Sequence, residues 1–164
     1  MESLLEKVHI RRSMPGDAGY VAYMHGKYYH ENHGLYEKFE YYFIKHLADF
    51  VRDPAGGALW VAEIGGVIIG SVAIVRAAGG AAQLRWFIVE KAYQNIGIGN
   101  RLISTALAFC RKNAYKSVFL WTFQGLDAAR WLYDKAGFAL TEEKQNNEWS
   151  DAEIIEQKME LILA

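Results

Sequence analysis

Two glycine pairs, Gly65-Gly66 and Gly79-Gly80, divide the middle of this chain into three apolar segments: Ala58 to Ile64, Val67 to Val75 and Ala82 to Val89. Paired glycines accept the positive φ angles of tight hairpin turns, and the segments between them are rich in β-branched residues. The pattern predicts an antiparallel meander of three strands. Its apolar faces need cover, and segments with 3–4 periodicity supply it. Ala18 to Asn32 carries Val21, Met24 and Tyr28 on one side. Glu37 to Val51 carries Phe39, Phe43, Leu47 and Phe50, which read as core. Ile98 to Lys112 turns Ile98, Leu102, Thr105, Ala106 and Phe109 inward. Val8 to Arg12 alternates as a strand, and Val118 to Thr122 reads as a strand buried on both faces. A helix over Asp127 to Lys135 is closed by Gly137. Phe138 to Glu142 and Lys158 to Leu163 read as closing strands, with a loop of some helical character over Asn146 to Glu156. The order is β-α-α-β-β-β-α-β-α-β-β, a mixed α/β fold of the α+β mixed-sheet kind. With 164 residues, one domain over 1–164 is expected.

Composition removes several functions. Hydrophobic residues make up 52% and there are two prolines, which excludes a disordered or Pro-rich chain. The net charge of −1 provides no basic field for nucleic acid or an anionic membrane, so neither is expected as a partner. Val67 to Val75 is the longest apolar stretch and is too short to span a bilayer. Met1 to Lys7 has no apolar run, so it does not read as a secretory signal. The lone Cys110 cannot form an internal disulfide, which fits a reducing, cytoplasmic setting. Within its helical pattern it reads as a small buried hydrophobe rather than a catalytic thiol. His25, His30 and His33 lack the i,i+4 spacing of a helical zinc pair, and no metal is predicted.

The segment after the meander carries the chemistry. Leu84 to Val89 feeds Gln94-Asn95-Ile96-Gly97-Ile98-Gly99-Asn100, a glycine turn opening a helix. Glycine admits a ligand close to the backbone, and a first helical turn has unpaired N–H groups at its positive end. Together they suit a diphosphate. A dinucleotide fingerprint fails because Leu102 stands where its third glycine belongs, and no P-loop sequence occurs. What remains is Gln-x-x-Gly-x-Gly behind a third meander strand. This resembles the GNAT superfamily of acetyl-CoA-dependent N-acetyltransferases, whose signature is Arg/Gln-x-x-Gly-x-Gly/Ala. The family's second motif, Ala-x-x-x-Tyr-x-Lys-x-Gly-Phe, is matched from Ala129 to Phe138. Leu84-Arg85-Trp86-Phe87, Val118 to Thr122 and Leu126 to Arg130 are further similar to the acetyltransferase half of proteins fused to a MarR-type regulator. The chain is expected to be a stand-alone relative of that half.

The resemblance implies a GNAT-like fold with a splayed central sheet, and acetyl-CoA as cosubstrate without a metal. It places Phe87, Ile88 and Val89 against the pantetheine, and Gln94, Asn95, Ile96, Gly97, Ile98, Gly99 and Asn100 around the diphosphate, with Leu126 beside the cofactor. Tyr133 matches the tyrosine that acts as general acid toward the sulfur. Two positions depart from the family's common form. Gln83 stands where many relatives carry Glu, and Leu126 where many carry Asn. A carboxamide takes no proton at neutral pH, so the base must come from elsewhere, through water, with Glu31, His30 and Glu63 as candidates. The implied activity is acetyl transfer to a primary amine by direct attack in a ternary complex. An acyl-CoA-binding sensor and an interaction domain of the same fold are the alternatives.

One feature of composition then acquires a place. Nine aromatic residues lie between Tyr20 and Phe43, where this family covers its acceptor. Tyr28, Tyr29 and Tyr36 are expected to line an acceptor pocket, with Gln83 and Arg85 at its edge. The expected partner is a small-molecule or peptide amine, and a homodimer through strand pairing is allowed.

Overall fold

The computed structural model describes residues 1–163. Its element order follows the sequence pattern: β1 (His9–Arg12), α1 (Asp17–His33), α2 (Glu37–Arg52), β2 (Ala58–Ile64), β3 (Val67–Arg76), β4 (Ala81–Val89), α3 (Ile98–Lys112), β5 (Ser117–Phe123), α4 (Asp127–Ala136), β6 (Ala139–Asn146) and β7 (Ile154–Ile162). Gly65 and Gly66 both take positive φ, 56° and 83°, as a two-residue hairpin turn demands. The seven strands form one sheet in the order β1-β2-β3-β4-β5-β7-β6. All neighbours are antiparallel except β4 and β5.

Each face of the sheet has its own core. On one, α3 packs Ile98, Leu102, Ala106 and Cys110 against Val72, Ile74, Leu84 and Val118, with Tyr133 and Phe138 beside them. On the other, Val21 of α1 and Leu47 and Phe50 of α2 cover Leu59, Val61, Ala73 and Trp86. Cys110 is fully buried, and burial pushes its thiol up to about 12, so it is an inert apolar side chain.

Two irregularities create the site. The first is a bulge in β4. Ala73 faces Arg85 and Ser71 faces Ile88, so β4 carries one extra residue there. Trp86 has φ 48°, and its carbonyl accepts a 2.6 Å hydrogen bond from the buried Ser71 hydroxyl. The extra residue places Arg85 and Trp86 on the same face and turns Phe87 to the other. The second is the parallel pair. β4 and β5 are bonded only over Ala81–Gln83 and Ser117–Phe119. Beyond that β5 stays paired with β7 to Phe123, while β4 follows β3 to Val89. The sheet opens between them.

Three expectations are corrected. β5 alternates between buried Val118, Leu120 and Thr122 and half-buried Phe119, Trp121 and Phe123, because its second face is covered by side chains such as Lys158 over Phe119 and Lys144 over Trp121 rather than by a core. The loop expected over 146–156 is shorter and carries no helix: β6 reaches Asn146 and β7 begins at Ile154, leaving 147–153 between them. Thr105 is half-buried, and its hydroxyl bonds the Arg101 carbonyl, while Ile103 and Leu107 join the buried residues of that helix.

Candidate active site

A cleft of about 870 Å³ fills the opening between β4 and β5 and reaches both faces of the sheet. On the α3 side, Phe87, Ile88 and Val89 line it with a strand edge that has no partner on β5. Next comes the loop into α3. Gly97 caps the helix at φ 102°, and Arg101 N–H bonds its carbonyl as the first helical bond. Among the described residues, the N–H groups of 95–100 bond no main-chain carbonyl outside the elements. They remain available to an anion at the positive end of the helix. The Gln94 side chain donates to the Val89 carbonyl at 2.9 Å, tying the loop to the end of β4. Gly99 explains the second glycine. A Cβ there would lie 2.7 Å from Leu132 Cδ1 and 3.2 Å from Phe87 Cζ, so glycine lets α3 start this close to α4 and β4 without displacing the Leu132 side chain.

Gln94, Asn95, Gly97, Asn100 and Leu126 line the cleft. Ile96 and Gly99 shape the loop from outside the lining, and the Ile98 side chain points into the core. For these three, only main-chain contact with a ligand is available.

Tyr133 projects from α4 into the cleft, 6% exposed, with its ring 5.8 Å from Phe87. No hydrogen bond to its hydroxyl exists among the described residues. Burial, and behind it Tyr29 approaching from across the sheet, push the phenol well above its ordinary pKa. It is a protonated donor throughout the neutral range.

The other half of the cleft is aromatic. Tyr28 and Tyr29 line it, edge to face at 5.3 Å. Tyr29 stacks on toward Phe39 at 4.9 Å and Phe123 at 5.8 Å. Trp149, from the β6–β7 loop, closes the wall 5.4 Å from Phe39. Phe39, expected as core, lines the cleft instead, and Phe43 both lines the cleft and packs against the core, because the first turns of α2 overhang the opening while Leu47 and Phe50 cover the sheet. Tyr36 lies elsewhere: at the start of α2 it is 63% exposed, against His30.

The expected bases are displaced as well. Glu31 is exposed on α1 and outside the lining. His30 bonds the Leu35 carbonyl, and Glu63 is paired with Arg11 at 3.1 Å on the far edge of the sheet. Gln83 and Arg85 do line the cleft.

The structure adds His25, which sequence spacing marked only as a failed zinc pair. Its Nδ1 bonds the Val21 carbonyl at 2.8 Å, so that nitrogen carries the proton. Nε2 is buried without a partner in the cleft wall. Burial lowers the pKa to about 4, the Val21 bond opposing it. The unfolded chain takes up this proton near pH 6.5. Between pH 6.5 and 4 the unfolded state binds more protons, so stability falls as pH falls, by about 3 kcal/mol for this residue. Burial lowers His33 and His46 too, in the same direction. Urea unfolding of the native chain and of H25L across this window separates the shares. The native chain is expected to lose more stability by that amount; parallel slopes would contradict the burial of His25.

Comparison with known proteins agrees with this geometry. The model of the acetyltransferase (GNAT) family matches residues 20–138, and the chain belongs to that family. N-acetyltransferase 8 from Rattus norvegicus is 36% identical over 105 residues, 59% of this chain and 47% of the rat protein. The chain spans about half the length of the curated relatives it matches. Among solved structures, yncA from Salmonella typhimurium, determined with its cofactor acetyl-CoA, superposes with a TM-score of 0.78 at 18% identity, covering 96% of this chain and 95% of that one. The ribosomal-protein-alanine N-acetyltransferase from Brucella melitensis gives 0.76 at 18% identity over 94% and 99%. At these identities the structures share the fold.

Proposed function

We propose that this chain, as one domain over 1–164, is an N-acetyltransferase that moves an acetyl group from acetyl-CoA to a primary amine by direct attack in a ternary complex. The observation that carries the reading is the cleft itself. It joins an anion-binding helix start on one side of the sheet to an aromatic pocket on the other, through a gap that a thioester can bridge. The loop of 95–100 holds the diphosphate, and the unpaired edge of Phe87 to Val89 holds the pantetheine and the acetyl carbonyl. Acetyl-CoA bound there supplies the activated acyl group, and the residues of this chain need no metal.

The amine nitrogen attacks the thioester carbon, a C–N bond forms, and the main-chain N–H groups of the β4 edge stabilise the oxyanion. The C–S bond then breaks. Tyr133 donates to the departing sulfur, whose thiol has an ordinary pKa near 8.5. The ammonium proton leaves through water, which restores the Tyr133 hydroxyl. The aromatic pocket assists because desolvation disfavours the charged amine. Glu31 has no geometric support as the base, and His25 Nε2, though unprotonated, is closed off from the cleft, so water is the proton acceptor.

No helix among the described residues is long and apolar enough to cross a membrane. A cytoplasmic setting, a homodimer and kinship to MarR-fused acetyltransferases complete this reading. Thiol release from acetyl-CoA, followed with a panel of amino acids, alkylamines, polyamines and peptides, tests it. Amine-dependent release supports it, and binding without release by any amine class would favour a sensor.

A further inference from the structure

Arg85 lines the aromatic half of the cleft, and among the described residues no carboxylate pairs with its guanidinium. It rests over the Trp86 ring at 5.0 Å. Burial lowers its pKa from the ordinary arginine value, and Arg85 in turn helps to lower that of His46. Two other charged residues line this half, Lys144 and Glu156, and they pair with each other at 3.8 Å. Asp127, at the start of α4, is exposed. The pocket therefore has one cation without a counter-ion, held in place by the β4 bulge. A largely buried cation is costly to keep unpaired, and the planar guanidinium fork matches a carboxylate with two parallel hydrogen bonds.

We infer that the acceptor is an amine that also carries a carboxylate: an amino acid bearing an apolar or aromatic side group. This inference rests on the acetyl-transfer reading above and names its substrate class. The carboxylate pairs with Arg85, the side group lies against Tyr28, Phe39, Phe123 and Trp149, and the amine is left to face the thioester. Polyamines and lysine side chains lack the group that Arg85 requires and bring a cation to a cationic pocket. The role of Arg85 is specificity. It holds the substrate and takes no part in the bond changes.

The test uses the full chain and two probes, 3-phenylpropionate, which has the carboxylate without the amine, and phenethylamine, which has the amine without the carboxylate. In calorimetry, 3-phenylpropionate is expected to bind the native chain, and R85Q is expected to weaken it about 10- to 100-fold. R85K, which keeps the charge and loses the fork, is expected to fall between. Acetyl-CoA affinity stays the same in both variants, which shows that they are folded. In thiol release, phenylalanine is expected to exceed phenethylamine at least about 10-fold in kcat/KM, and the preference disappears in R85Q. Equal or better turnover of phenethylamine by the native chain, or an unchanged affinity of R85Q for 3-phenylpropionate, overturns the inference. Failure of the native chain to bind acetyl-CoA would instead overturn the transfer reading, while the 3-phenylpropionate titration still decides the role of Arg85.

Discussion

Replacing Tyr133 by Phe is expected to lower kcat at least about 100-fold with little change in the affinity for acetyl-CoA. The substitution removes one oxygen and keeps the ring that packs against Phe87 and Phe138. Folding is therefore preserved, and the hydroxyl is the variable. Burial keeps that hydroxyl protonated and it has no partner among the described residues, so its remaining task is donation to a group entering the cleft. The departing thiolate is the group that gains charge there. A loss seen in kcat and not in cofactor binding marks an interaction made as the C–S bond breaks. Full turnover by Y133F would assign the tyrosine to packing alone and move the acid elsewhere.

Replacing Gly97 by Ala is expected to weaken acetyl-CoA binding at least about 10-fold. The reason is backbone conformation rather than crowding. At φ 102° an L side chain is strained, whereas the added Cβ would meet only Leu5 Cδ2, at 3.3 Å, a flexible neighbour. Relief of the strain rotates the peptide that starts α3, and the N–H groups of 95–100 lose their common direction. Gly65→Ala is the control. Gly65 also has positive φ with open space around it, but it lies in the β2–β3 hairpin away from the cleft. Both variants should lose stability in urea, G97A more than G65A because φ 102° lies beyond the left-handed range open to L residues, where Gly65 sits at 56°. Only G97A should lose affinity for acetyl-CoA, as measured by calorimetry. Equal affinity in G97A and the native chain would show that the loop does not hold the diphosphate.

The order of elements was legible because the meander and the helices carry strong periodicity, and because glycine pairs mark their turns. β6 was read short for a physical reason. Its residues are almost all exposed and polar, so alternation is absent, and pairing with β7 alone makes it a strand. The site divides in the same way. The Gln94-to-Asn100 loop was readable because its chemistry is that of the backbone, which needs glycine at fixed spacing. The pocket was not, because it is assembled from distant elements: His25 on α1, Phe39 on α2, Arg85 on β4, Phe123 on β5 and Trp149 in the last loop. Tyr36 was drawn to it by an aromatic cluster, but the turn between α1 and α2 carries that residue out to solvent. The β4 bulge decides which side chains the pocket receives. A chain of plain alternation would place Arg85 and Trp86 on opposite faces.

Calorimetric titration of the full chain with acetyl-CoA tests the central claim most directly. The cleft predicts saturable binding at one site per chain, with a negative heat-capacity change as apolar surface on Phe87, Ile88 and Val89 is covered. The absence of any saturable heat at millimolar acetyl-CoA, with the chain folded, would contradict it.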